Sequence, residues 1–66
     1  MDITVNGTSR EVGAGMTVSQ LLDELEMLPR YVAVERNLEL VPRREHSDCV
    51  LEPSDHLEIV TLVGGG

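Results

Sequence analysis

"DITVNGTSREV", residues 2–12, is the stretch whose reading decides the fold. Ile3 and Val5 alternate with polar neighbours, at the two-residue period of a strand that buries one face. Asn6-Gly7 then breaks the run. Both central positions of a type I′ turn need positive φ, which asparagine tolerates and glycine favours, so the pair marks a tight hairpin. "TSREV" is the returning strand.

Downstream, "GAGM" at residues 13–16 interrupts the strand pattern, and Thr17 opens a helix. Thr17 followed by Gln20 fits a capping box, in which each side chain satisfies an orphan amide at the helix start. In "VSQLLDELEML", Val18, Leu21, Leu22 and Leu25 fall at i, i+3, i+4 and i+7, one apolar stripe. Asp23, Glu24 and Glu26 lie off it. Pro29 is expected to end the helix, because the residue before a proline is pushed out of helical φ/ψ.

"YVAVERN" reads as an internal strand, followed by a tight turn near Asn37 and a short strand stopped by Pro42. "RREHSD" reads as a charged loop. "CVLEPSDHLEIVTLV" supplies a short apolar stretch, a Pro-Ser-Asp turn and a final strand. The order is β-β-α-β-β-β. One helix on the apolar face of a mixed sheet is an economical two-layer solution for so short a chain. The first and last strands are expected side by side and parallel in the middle of the sheet, which is an α+β fold of β-grasp type. Residues 1–63 are expected to form this domain, and residues 64–66 a flexible tail.

Composition bounds the function. Sixty-six residues make one domain, and a chain this short buries only about 60% of its unfolded surface. With no Trp or Phe and a single Tyr, Tyr31, the core must be aliphatic; at 41% hydrophobic residues there is enough of it. A net charge of −7 argues against nucleic acid and against anionic membranes, and would steer a basic protein partner toward the surface. The single cysteine, Cys49, excludes an internal disulfide and a zinc cluster. No apolar run approaches the roughly 20 residues of a membrane span, and no signal peptide is evident, so a cytoplasmic location is expected. The Met-Asp opening leads to the expectation of a whole protein.

Little in the chain promises catalysis. His46 and His56 are ten residues apart with no Ser or Cys placed as a triad, and both read as solvated loop residues. Cys49, beside Val50 and Leu51, reads as a buried thiol. Asp23, Glu24 and Glu26 read as helix-surface charges. "GAG" at 13–15 is too short for a nucleotide fingerprint, no lysine follows it, and it reads as a turn. No metal ligands, bound cofactor or catalytic residues are expected.

The end of the chain, "EIVTLVGGG", carries more. Leu57, Ile59, Thr61 and Val63 share one strand face; His56, Glu58, Val60 and Leu62 share the other. If the first set meets the helix, Val60 and Leu62 stand outside as a small docking patch leading into Gly64, Gly65 and Gly66. Glycine can lie extended in a slot too tight for a side chain, and it leaves a terminal carboxylate unshielded. A carboxylate is a poor electrophile, but joining it to AMP supplies a leaving group. The ATP site must then belong to a partner enzyme.

This order, with "ITVNG" at the start, "TVSQLL" at the helix, "VAVERNLELVPR" through the middle, "SDHLEIV" into the last strand and "VGGG" at the end, resembles the ubiquitin-like sulfur carriers, and among them the ThiS family of thiamine biosynthesis. The resemblance covers essentially the whole chain. It implies that a ThiF-like adenylyltransferase activates Gly66 with MgATP. Sulfur relayed from a cysteine desulfurase then makes a terminal thiocarboxylate, which donates it to the thiazole synthase ThiG. It further implies that Gly64, Gly65 and Gly66 enter partner active sites and that Val60, Leu62 and Val63 dock partners. The sequence does not itself set the oligomeric state; a free monomer that assembles with its enzymes is expected. The small subunit of molybdopterin synthase shares this fold and tail chemistry. A ubiquitin-like protein modifier and an inert interaction module are the readings from other classes.

Overall fold

The computed structural model describes residues 1–62. Val63, Gly64, Gly65 and Gly66, and with them the expected tail, lie outside the described residues.

The hairpin forms as its sequence dictates. β1 (Asp2–Val5) pairs antiparallel with β2 (Thr8–Glu11) across a turn in which Asn6 and Gly7 take φ of 50° and 82°. β3 (Val32–Arg36) and β4 (Glu39–Val41) make a second antiparallel pair, turning through Asn37 and Leu38 at φ of 51° and 72°. β5 (His56–Thr61) runs between the two hairpins, parallel to β1 and antiparallel to β3, giving the sheet order β2-β1-β5-β3-β4. The first and last strands are thus neighbours and parallel, at the middle of a mixed sheet, in the expected β-grasp.

One helix, α1 (Val18–Glu24), covers one face of the sheet. Its capping box is complete: the Gln20 amide donates to Thr17 Oγ1 at 3.1 Å, and the Thr17 amide donates to Gln20 Oε1 at 2.9 Å. The stripe of Val18, Leu21 and Leu22 is fully buried against Ile3, Val34 and Leu57. Burying such a side chain stabilises the fold by about 1.5–3 kcal/mol, so these six outweigh any surface interaction in the molecule.

The helix stops earlier than Pro29. Leu25 is its C-cap, Glu26 takes φ of 58°, and the Glu26 and Met27 amides donate back to the Asp23 and Leu22 carbonyls at 3.1 and 2.9 Å. This is a Schellman closure with glutamate at the left-handed position where glycine is usual. Pro29 instead begins a single 3-10 turn, Pro29–Tyr31, that feeds β3. The charged loop contains a second such turn, Arg43–Glu45.

His46 departs from expectation: it is buried, not solvated. The turn before it brings its ring to β4, where Nε2–H donates to the Val41 carbonyl at 3.1 Å and Nδ1 is buried with no partner among the described residues. The His46 carbonyl accepts the Ser19 amide, so this residue ties the loop to the start of α1.

Candidate docking face and tail base

β5 is held along its whole described length. On one side, five register pairs join it to β3, from Arg36 opposite Leu57 to Val32 opposite Thr61, and the Leu62 amide still donates to the Tyr31 carbonyl at 2.8 Å. On the other side, β1 pairing ends at Val5 opposite Leu57. There the Asn6 side chain takes over: its Nδ2 donates to the Ile59 carbonyl at 3.0 Å and its Oδ1 accepts the Ile59 amide at 2.7 Å. A side-chain amide presents the same donor and acceptor as a peptide group, so Asn6 extends the ladder by one step beyond the strand.

The base of β5 is anchored by a polar knot. Asp55, itself buried, accepts three hydrogen bonds: from Arg36 Nε at 2.8 Å and the Glu52 amide at 2.9 Å on Oδ2, and from Asn37 Nδ2 at 3.1 Å on Oδ1. Asn37 Oδ1 in turn accepts the His56 amide at 2.9 Å. Burial alone would raise the Asp55 pKa, but the Glu52 amide, Asn37 and the Arg36 guanidinium outweigh it and hold the carboxyl below its ordinary value. Arg36 also reaches Glu52 Oε2 at 3.4 Å and Cys49 Sγ at 3.7 Å. Cys49 is half-buried at the margin of this knot, not deep in the core as expected.

With both sides and the base fixed, the outer face of β5 is presented rigidly. Leu57 and Ile59 point into the core; Thr61, expected on that face, is exposed. Val60 and Leu62 are 54% and 49% exposed on the opposite face, where the sequence places them. Tyr31, in the turn before β3, and Leu40 of β4 are further exposed apolar side chains; the sequence reading missed both, because which elements flank β5 is set by the register.

The other candidate groups are not gathered into a site. His56 is exposed at the start of β5, and its backbone amide, not its ring, makes the contact to Asn37. Asp23, Glu24 and Glu26 are exposed, Glu24 pairing with Arg10 at 3.5 Å. The "GAG" segment is a turn, with Gly15 at φ of 87°, bordering an open groove of about 450 Å³ lined also by Gln20, Asp23 and Glu24. Among the described residues no group of three or more His, Cys, Asp or Glu side chains could hold a metal ion, and no helix is long and apolar enough to cross a membrane.

Comparison with known proteins agrees with this architecture. The model of the ThiS family matches residues 3–66. The sulfur carrier protein ThiS of Escherichia coli is 27% identical over 66 residues, the full length of both chains. A crystal structure of the thiamine biosynthesis protein ThiS from Geobacter metallireducens matches with a TM-score of 0.87 at 32% identity, covering 100% of each chain. A thiazole synthase of Paramagnetospirillum magneticum is 47% identical over 66 residues, and the chain spans only 20% of that protein's length.

Proposed function

From a chain that belongs to the ThiS family, we propose a sulfur carrier of thiamine biosynthesis whose working group is the carboxylate of Gly66. The observation that carries the reading is the family match running through residue 66, together with a strand held rigidly up to residue 62 whose outer face ends in the exposed apolar side chains of Val60 and Leu62.

The proposed chemistry divides between carrier and partners. A ThiF-like adenylyltransferase, using MgATP in its own site, joins the Gly66 carboxylate to AMP and releases pyrophosphate. The terminal sulfur of a persulfide, charged by a cysteine desulfurase, displaces AMP to give an acyl disulfide. A thiol of a partner protein then attacks the outer sulfur of that bond, closing a disulfide between partner thiols and leaving the inner sulfur on the carrier as a thiocarboxylate. That sulfur stays nucleophilic at neutral pH while remaining tethered, which raises its effective concentration in the acceptor's site. The acceptor is a thiazole synthase; the likeness to proteins of that name supports this choice over the molybdopterin pathway. Val60 and Leu62, with Val63, are the proposed grip for these enzymes, and residues 64–66 the part that enters their active sites.

Pyrophosphate release tests the reading. Incubation with the adenylyltransferase of the same organism and MgATP is expected to release pyrophosphate with the wild-type chain and none after deletion of Gly66. Equal release from the deleted chain, or none from the wild type, overturns it.

A further inference from the structure

The few positive charges of this acidic chain are unevenly used. All five are arginines. Arg10 pairs with Glu24, Arg36 with Asp55 and Glu52, and Arg44 with Glu45. The other two, Arg30 and Arg43, line one open groove of about 320 Å³ together with Leu28 and Pro29. Among the described residues neither forms a salt bridge. Two neighbouring cations in a chain of net charge −7 select an anion.

Arg30 is already oriented for one. Its guanidinium stacks over the Tyr31 ring, 5.0 Å from the centroid. Stacking uses the face of the group and leaves its N–H edge to donate. A carboxylate accepts such an edge through two parallel hydrogen bonds.

The nearest carboxylate of that kind is tethered beside the groove. β5 runs antiparallel to β3, from Leu57 opposite Arg36 to Thr61 opposite Val32. The Leu62 amide then donates to the Tyr31 carbonyl, so the chain leaves the sheet beside the turn that carries Pro29 and Arg30. Consecutive Cα atoms are about 3.8 Å apart, and the four residues beyond Leu62 span at most roughly 14 Å. That reach covers the one or two residues that separate Tyr31 from the groove.

We propose that the groove is a resting seat for the carrier's own terminal carboxylate: Gly66 docks on Arg30 and Arg43 in the free protein and leaves when an enzyme takes the tail. The proposal rests on the reading above that Gly66 ends the chain as a free carboxylate. A short tether makes docking intramolecular, which offsets the weakness of an exposed ion pair in water. The seat is correspondingly sensitive to salt.

Amide nitrogen relaxation of the free protein tests this. At low ionic strength the order parameters of Gly65 and Gly66 are expected above about 0.6 in the wild type. They are expected below that in the Arg30→Gln, Arg43→Gln double variant, and in the wild type at about 0.5 M salt. Arg44→Gln removes a neighbouring positive charge outside the groove and is expected to leave them unchanged. For a seat filled in about two-thirds of molecules, the double variant gains about threefold in kcat/KM for pyrophosphate release by the adenylyltransferase. Order parameters that match in wild type and double variant, that ignore salt, or that fall equally with Arg44→Gln overturn the seat. An unchanged or lower kcat/KM overturns its hold on the tail. A wild-type chain that shows the salt-sensitive, arginine-dependent order but releases no pyrophosphate overturns the functional reading and leaves the seat standing.

Discussion

Replacing Asp55 with asparagine removes the charge at the knot that anchors β5. The best placement of the amide keeps its oxygen toward Arg36 Nε and the Glu52 amide and turns its NH2 toward Asn37 Nδ2. Two donors then face each other where a 3.1 Å hydrogen bond stood. Asn37 cannot simply flip, because its oxygen accepts the His56 amide. The loss of charge assistance to Arg36 and one unsatisfied buried donor together amount to about 2–4 kcal/mol. The Arg36 side chain is 26% exposed and partly resolvated, which favours the lower half of that range. For a domain of this size a loss of about 2–3 kcal/mol lowers the melting temperature by roughly 10–20 °C. The effect depends on pH with a definite sign. The folded-state pKa of Asp55 is depressed, so its contribution is complete above the unfolded value of about 3.9 and is lost as pH falls through the folded value. Urea unfolding followed by circular dichroism, run from pH 7 down to pH 2, should show a constant gap between wild type and variant down to about pH 5 and a closing gap below about pH 4. A gap that persists unchanged at pH 2, or no gap at pH 7, refutes the reasoning.

Glu26→Gly relieves a left-handed residue and is expected to raise stability by about 1 kcal/mol, read as a higher urea midpoint; a lower midpoint contradicts the Schellman reading. Asn6→Ala removes both hydrogen bonds to Ile59 and is expected to lose about 2 kcal/mol, with the Ile59 amide exchanging faster than its strand neighbours; uniform exchange across β5 counts against the ladder extension. Val60→Ser and Leu62→Ser should leave stability within about 0.5 kcal/mol, since both side chains are half exposed, while slowing adenylation severalfold; equal loss of stability and activity contradicts a docking role.

What could be read from the sequence was what short-range chemistry fixes. Asn6-Gly7 and the Thr17–Gln20 capping box are local devices, and both appear where their residues stand. The parallel pairing of β1 and β5 was expected from the element order read as a β-grasp, and no local signal in either strand sets it. The helix end was misplaced because the proline rule sets only an outer limit, and the actual stop puts a glutamate in a conformation that its side chain disfavours. His46 sits in a run of charged letters that hides its burial; only the turn geometry carries its ring to Val41. The Asp55 knot joins residues 18 and 19 apart, and the facing of Glu35 and Glu58 requires the β3–β5 register, which no local pattern contains. The outward placement of Val60 and Leu62 was legible, because strand alternation alone sets it.

The most direct measurement is the mass of the C-terminal peptide from protein isolated from its native host while thiamine is being made. Exchange of oxygen for sulfur changes mass almost as one oxidation does, and Met1, Met16, Met27 and Cys49 can all oxidise, so the shift must be mapped to the fragment containing Gly66. A fragment ending at Gly66 with sulfur in place of one terminal oxygen is the predicted result. A peptide that continues past Gly66 in a chain that still supports thiazole formation, or one that carries only oxygen throughout, contradicts the account.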